Sequence, residues 1–279
     1  MQPTQAIKEW LVYASKRLSS VNIPSPSLDS EIILAFVLGQ DRTYLHAHSD
    51  QKLDSLQIST ANSKLEMRYN RTPIAYITGH KEFYGRDFIV TPFTLIPRPE
   101  SEAIISAVYG IKKSGFFKNK SSIEIVDVGT GSGCLAITLK KEFPEINITA
   151  LDISNDALEV CKNNAHRLNA EINILHSDLL KSYQSRPDII VANLPYVDKK
   201  WKRSPETDHE PTLALFADDG GKIIIKTLIL QSSNFLSPGG YLILEADPQQ
   251  HEAIEKFAIE QSFKLIDKFG YTLVFSFQY

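Results

Sequence analysis

Between Ile123 and Glu245, short apolar runs alternate with helix-like stretches, and this alternation limits the fold more than any other feature of the chain. The runs lie near 123–128, 147–152, 172–176, 188–193 and 240–245, with helical stretches near 133–142, 155–169 and 222–236 between them. Strand–helix alternation of this kind implies a parallel sheet with helices on both faces. After Glu245 come one more helix and two strand-like runs, Phe263 to Lys268 and Thr272 to Phe277, separated by Phe269-Gly270-Tyr271.

Upstream the pattern is different. Ile7, Leu11, Ala14 and Leu18 recur at helical spacing behind a candidate cap, Thr4. A second helix is expected from Ser27 or Asp29 through Leu38, with Gly39 as its stop, and a third from Ser55 to Asn70, ended by Arg71-Thr72-Pro73. Phe83-Tyr84 and Phe88-Ile89-Val90 flank Gly85-Arg86-Asp87, which suggests a hairpin. Pro97-Arg98-Pro99 forms a stiff joint before a helix from Glu100 to Ile111.

Composition removes several classes. Residues 1–100 carry 11 of the 30 Lys+Arg and 10 of the 33 Asp+Glu, so neither part of the chain is basic, which argues against a protein that grips bare nucleic acid through phosphates. Two cysteines, Cys134 and Cys161, make neither a disulfide framework nor a metal pattern, and a reducing cytoplasm is the natural setting. Met1 to Gln5 lack a signal-peptide pattern, and no apolar run approaches the roughly 18 residues of a membrane span.

Chemistry-bearing residues sit where the apolar runs end. The first run closes on Asp127-Val128 and then Gly129-Thr130-Gly131-Ser132-Gly133, with helical sequence beginning at Cys134. A strand, a glycine-rich turn and a helix make a nucleotide-type cradle. The spacing is G-x-G-x-G, with Cys134 where the dinucleotide pattern has its last glycine. Asp152 ends the second run, at the position where a carboxylate accepts from both ribose hydroxyls. Asp127 has a competing structural reading, because an acid entering a turn bonds local N–H groups. A fourth run ends in Asn193-Leu194-Pro195-Tyr196. The Asn193 side-chain oxygen and the Leu194 carbonyl are two acceptors, which suits a planar group presenting an NH2, with the Tyr196 ring available to stack on its flat face. Together these features point to S-adenosylmethionine rather than a nicotinamide.

The chain resembles the protein-glutamine N5-methyltransferases that modify class-1 peptide chain release factors. The likeness is carried by Asp29-Ser30-Glu31, Gly79 to Gly85, Leu95 to Glu100, the glycine loop, Asn193 to Tyr196, Glu210-Pro211 and Pro238-Gly239-Gly240. Two positions depart from the family pattern: Leu194, where Pro is usual, and Ser101, where Thr is common. Leu194 keeps the carbonyl but loses the fixed φ. The resemblance implies a Rossmann-like class I methyltransferase domain over 99–279, with a seven-stranded mixed sheet. It also implies a helical substrate-recognition domain over 1–76 and a β-hairpin linker over 77–98. S-adenosylmethionine is then expected on Gly129, Thr130, Gly131, Ser132, Gly133, Asp152, Asp178, Leu179 and Asn193, with Asp178 near the adenine amine and Leu179 against the ring. Asn193, Leu194, Pro195 and Tyr196 are expected to bind the substrate and to carry the chemistry. The implied acceptor is the glutamine of a Gly-Gly-Gln loop. The implied protein is a cytoplasmic monomer that works without nucleic acid, membrane or metal.

Other features leave choices open. Arg98 either steers the methionine carboxylate or pairs with Glu100 or Glu102. Lys199-Lys200-Trp201-Lys202-Arg203 reads as a solvated loop before it reads as a phosphate contact. His46 and His48 lack a third ligand at metal spacing, and Cys134 is most simply a small core residue. A nucleic-acid amino methyltransferase would use the same tetrapeptide, whereas a dehydrogenase needs a better dinucleotide loop and a non-catalytic scaffold has no use for an acceptor pocket.

Overall fold

The structure, a computed structural model, describes residues 5–118 and 120–278. The chain forms two compact units: Met1–His80 with Arg203–His209, and Lys81–Lys202 with Glu210–Tyr279.

In the first unit, helix Ile7–Ser19 buries Ile7, Trp10, Ala14 and Leu18. Trp10 takes the core position expected of Leu11, since both lie within one turn of the same stripe, and its indole N–H donates to Asn62 Oδ1 at 2.9 Å. Thr4 lies outside the described residues; the Ala6 N–H at this helix start donates to Glu9 Oε2 at 2.7 Å. Helix Pro26–Leu38 starts at a proline and stops at Gly39 with φ +63°. Helix Ser55–Tyr69 is capped reciprocally by Asp54 and Gln57, at 2.8 and 2.9 Å. The short helices Arg42–Ala47 and Ile74–Thr78 go unseen in the sequence because neither is long enough to display a period. A buried guanidinium organises the unit: Arg68 donates to Asp29 at 2.7 Å and to Glu206 at 3.0 Å, and Arg71 reaches Glu206 at 3.2 Å. Burial alone would raise the Glu206 carboxyl, but the Ser204 hydroxyl, its own backbone N–H and the two arginines bring it down to about 2.

A two-stranded hairpin follows, β1 His80–Phe83 and β2 Arg86–Ile89, which lies in the second unit from Lys81 onward. Its turn is Tyr84-Gly85, with φ of +51° and +72°, rather than Gly85 to Asp87. A two-residue hairpin turn of this hand needs both central residues left-handed, and glycine supplies one at no strain. Phe83 and Phe88 sink into the core of this unit. Asn164 secures the hairpin: its Oδ1 accepts from Ile89 N at 2.8 Å, and its amide donates to the carbonyls of Ile89 and Ser132, each at 2.9 Å.

Seven strands then form one mixed sheet among the described residues: β3 Glu124–Val128, β4 Asn147–Asp152, β5 Asn173–His176, β6 Ile189–Ala192, β7 Tyr241–Glu245, β8 Phe263–Phe269 and β9 Thr272–Phe277. The order is β5-β4-β3-β6-β7-β9-β8, with β9 running opposite to the other six. Helices Glu102–Lys113, Cys134–Glu142, Asn155–Arg167, Ile223–Phe235 and His251–Glu260 connect or flank these strands. Successive strand residues feed opposite cores: Ile125, Ile189 and Ile243 enter one cluster, while Val126, Ile190 and Leu242 enter the other. Burial on both faces is what makes the strands read as apolar runs.

Candidate functional site

The chain builds outward from β3 in both directions, so the strand order reverses between β3 and β6. Ligands in open α/β sheets bind in the crevice at such a switch point, beyond the carboxyl ends of the strands. Val128 lies opposite Ala192 in the ladder, so the glycine loop and Asn193 leave the sheet as neighbours. A cavity of about 480 Å³ opens there. Its wall takes in Gly129 to Ser132 after β3, Asp152 after β4, Asp178 and Leu179 after β5, and Asn193, Leu194 and Pro195 after β6. Gly133 and Tyr196 are not part of that wall.

Two glycines set the loop's shape. Gly129 has φ +75°, a left-handed conformation that favours glycine, and the Leu194 side chain packs over it, with Cδ2 2.8 Å from where a Cβ would lie. Gly131 has φ +54°, and a Cβ there would meet no atom within 4 Å, which leaves its backbone open to the cavity. Asp152 accepts from Gly131 N at 2.8 Å and from Ser154 N at 2.9 Å, and each oxygen keeps a second lone pair for a ligand hydroxyl. Burial raises this carboxyl, against the pull of those backbone N–H groups. Asp178 is exposed and pairs with Lys181 at 2.5 Å, and Leu179 is left-handed with φ +51°. An open glycine backbone, a half-buried carboxylate with spare lone pairs and an apolar wall together fit a nucleoside with a ribose diol.

Asp127 does not face the ligand space. Its Oδ2 accepts from Thr130 Oγ1 at 2.6 Å and from Ala136 N at 3.2 Å, so it caps helix Cys134–Glu142 and fastens the loop. Oδ1 has no partner among the described residues. Burial outweighs these bonds and pushes the carboxyl up to about 7. A folded value above the unfolded one means the native state holds this proton more tightly. The resulting stability is complete below about pH 4 and is lost as pH rises through about 7. Asp127→Asn mimics the neutral form, so it is expected to stabilise the ligand-free protein by about 1–3 kcal/mol at pH 8, with the gain shrinking toward pH 4. Urea unfolding of both proteins across that range measures it; a gain that does not vary with pH would show that Asp127 is not the titrating group.

On the acceptor side four side chains form a hydrogen-bonded chain. Asn193 Nδ2 donates to Ser101 Oγ at 2.8 Å, and Ser101 Oγ donates to Glu245 Oε2 at 2.6 Å. Tyr196 OH donates to Glu245 Oε1 at 3.0 Å. Gln250 Nε2 donates to the carbonyls of Tyr196 and Gly220, each at 2.7 Å. The amide nitrogen of Asn193 is thus engaged, which leaves Oδ1 as its accepting end. Glu245 is 1% exposed, and burial raises its carboxyl, opposed by the Ser101 and Tyr196 hydroxyls. Sequence reasoning passed over Glu245 and Gln250; the one visible signal was an acid closing an otherwise aliphatic strand.

Arg98 pairs with neither Glu100 nor Glu102. Its partner is the buried carboxylate of Glu210, which also accepts from Ile96 N at 3.2 Å, so Glu210 pins the proline joint to the cavity rim. Glu102 accepts from Tyr84 N at 3.0 Å instead. Cys134 lines the cavity, but burial pushes its thiol up to about 12, so it is neutral and no nucleophile. His46 lies 3.4 Å from Glu31, His48 stacks on Tyr44, and no group able to hold a metal occurs among the described residues. In the basic loop, Lys199 has Asp218 at 3.8 Å and Arg203 has Asp208 at 2.9 Å. No helix among the described residues is long and apolar enough to cross a membrane.

The PrmC N-terminal domain family matches residues 9–79, and the Methyltransferase small domain family matches residues 115–210. The release factor glutamine methyltransferase of Koribacter versatilis is 41% identical, over 87% of this chain and 88% of that protein. The bifunctional methyltransferase of Rickettsia felis is 34% identical over 93% of this chain, which spans about half (55%) of that longer protein. Among solved structures, a methyltransferase from Pyrococcus furiosus superposes with a TM-score of 0.53 at 19% identity, over 78% of this chain and 100% of that one, a likeness of fold.

Proposed function

We propose, from the premise that this chain belongs to the release factor glutamine methyltransferase family, that its cavity brings S-adenosylmethionine and a glutamine side chain together for methyl transfer. The enzyme methylates release factor glutamine. In the finer reading, the acceptor is the side-chain N5 of the glutamine in a Gly-Gly-Gln loop of a class-1 release factor, and the modification supports translation termination. The observation that carries this reading is the adjacency of Val128 and Ala192, which delivers the glycine loop and Asn193 to one cavity.

Gly129 to Ser132 and Asp152 would hold the cofactor, with Asp178 and Leu179 at the adenine, while Gly133 turns the loop into its helix against Cys161 and Ile137. When bound, S-adenosylmethionine supplies a methyl group made electrophilic by its sulfonium. The acceptor is the harder partner, because an amide lone pair is delocalised into its carbonyl. Asn193 Oδ1 and the Leu194 carbonyl accept the two N–H bonds, hold nitrogen toward the methyl and favour the charge that develops on it. Pro195 stiffens the turn that aims the Leu194 carbonyl. Tyr196, tied to Glu245 and Gln250 outside the cavity wall, anchors the end of the tetrapeptide. No nucleophilic side chain is required, and the nitrogen loses its proton after transfer.

A monomer is also part of the proposal, as are a cytoplasmic setting, supported by two free cysteines, and action without nucleic acid, supported by a net charge of −3. Labelled S-adenosylmethionine and a purified release factor, followed by mass mapping, test the reading. Label on the Gly-Gly-Gln glutamine is expected; label on a nucleobase or on another residue would overturn it. Asp152→Ala is expected to weaken cofactor binding by about 1–3 kcal/mol, and unchanged affinity by calorimetry in the folded variant would remove Asp152 from the cofactor site.

A further inference from the structure

The side chain that decides which end of Asn193 meets the acceptor lies outside the cavity. An Asn amide carries an acceptor and a donor of nearly the same shape, and only the acceptor end serves an incoming NH2. Rotated by half a turn, the same residue would point N–H at N–H. Something must therefore set its orientation, and Asn193 is bonded to Ser101, whose hydroxyl has a single proton. A hydroxyl that gives its proton away must accept from its other neighbour.

We propose that Glu245 is the positioning residue for the acceptor amide: through Ser101 it forces Asn193 to present Oδ1, and through Tyr196 it fixes the far end of the tetrapeptide. This rests on the role given to Asn193 above. Ionised Glu245 has no proton to donate, so both of its oxygens accept, Oε2 from Ser101 at 2.6 Å and Oε1 from Tyr196 at 3.0 Å. Ser101, having donated to Glu245, accepts from Asn193 Nδ2 at 2.8 Å. Every donor in the chain then points toward Glu245 and every acceptor away from it. While the acid is ionised, these bonds need the Asn193 amide nitrogen turned toward Ser101, and the same amide also favours the ionised form of Glu245 directly.

Local architecture supports the assignment. Ser101 belongs to the turn Pro99–Ser101, held by the joint that Glu210 pins, and Glu245 ends a strand in the middle of the sheet. Both side chains are buried, Ser101 at 2% and Glu245 at 1% exposure, so water does not compete for their bonds. Gln250 holds the Tyr196 carbonyl from the same side. The Ser101 position can carry Thr without loss of the logic, since only the hydroxyl is used.

The test measures kcat, KM and cofactor Kd for the full chain with S-adenosylmethionine and a purified release factor. The variants are Ser101→Ala, Ser101→Thr and Glu245→Gln, together with Ser101→Ala on an Asn193→Ala background. Ser101→Ala and Glu245→Gln are each expected to lower kcat about 10- to 100-fold, the scale of a misaligned reacting group, with cofactor Kd within about twofold of the parent. Ser101→Thr should restore kcat to within about threefold. On Asn193→Ala there is no amide left to orient, so adding Ser101→Ala should change the single-turnover rate by less than about twofold. Parental kcat in Ser101→Ala, or the same fold-loss with and without Asn193, would overturn the proposal. Should Glu245→Gln fail to fold, the Ser101 series decides alone, because it removes one hydroxyl. A parent enzyme that methylates some other acceptor would sink the substrate reading, and the same ratios measured on that acceptor would still judge the relay.

Discussion

Asn193→Ala is expected to lower the single-turnover methylation rate by about 10²- to 10³-fold, the loss typical of removing one preorganised partner of a developing charge. Cofactor affinity should change little, because the bonds that hold the glycine loop, Thr130 to Asp127 and Gly131 N to Asp152, do not involve Asn193. Two effects combine in the variant. One acceptor for the amide N–H bonds disappears, and Ser101 loses the N–H it accepts from. Asn193→Asp should be worse than a simple isostere. It cannot donate to Ser101, and it sets a second carboxylate beside a hydroxyl already committed to Glu245. It also adds negative charge near a sulfonium, which favours the bound ground state as well as the transition state. Mass spectrometry of the target glutamine and calorimetry with S-adenosylmethionine separate the two variants. An alanine variant that turns over within tenfold of the parent would exclude Asn193 from the reaction.

The second large effect is on stability. Arg68→Ala is expected to cost about 3–5 kcal/mol, the range for breaking a buried ion pair from one side. It strips Asp29, only 10% exposed at its side chain, of its charged partner. Glu206 still has Arg71 at 3.2 Å, so the damage falls mainly on Asp29. Replacing both members, Arg68→Met with Asp29→Leu, should recover most of the loss, because apolar side chains of similar volume need no compensating charge. Chemical denaturation followed by circular dichroism compares the single and double variants; equal stability of all three proteins would show the pair to be energetically idle.

What could be read from the sequence follows a physical rule. The sheet was legible because strands covered on both faces are aliphatic throughout, and Ile189 to Ala192 is the clearest case. Asp152 and Asn193 were legible because they close such strands, where α/β sheets bind ligands. The relay was not, since Ser101 and Glu245 stand 144 residues apart and only the strand order brings them together. Arg98 and Glu210 are 112 residues apart and escaped for the same reason. Leu179 gave no warning of its left-handed backbone, because leucine has no preference for that region. Trp10 fills the core stripe fully, and Leu11 packs against the same cluster from its partly buried edge.

The segment Arg203–His209 sits among the helices of the first unit, although it follows Tyr196 in the chain. That places a constraint on the order of synthesis. A ribosome makes the helices Ile7–Ser19 to Ile74–Thr78 first, yet Glu206, which serves Arg68 and Arg71, emerges only after the glycine loop, β4, β5 and β6 have been made. Domains made of one continuous stretch can fold as they leave the ribosome; this one must wait with a half-paired guanidinium in its interior. The helices of the first unit are therefore made well before the segment that completes them.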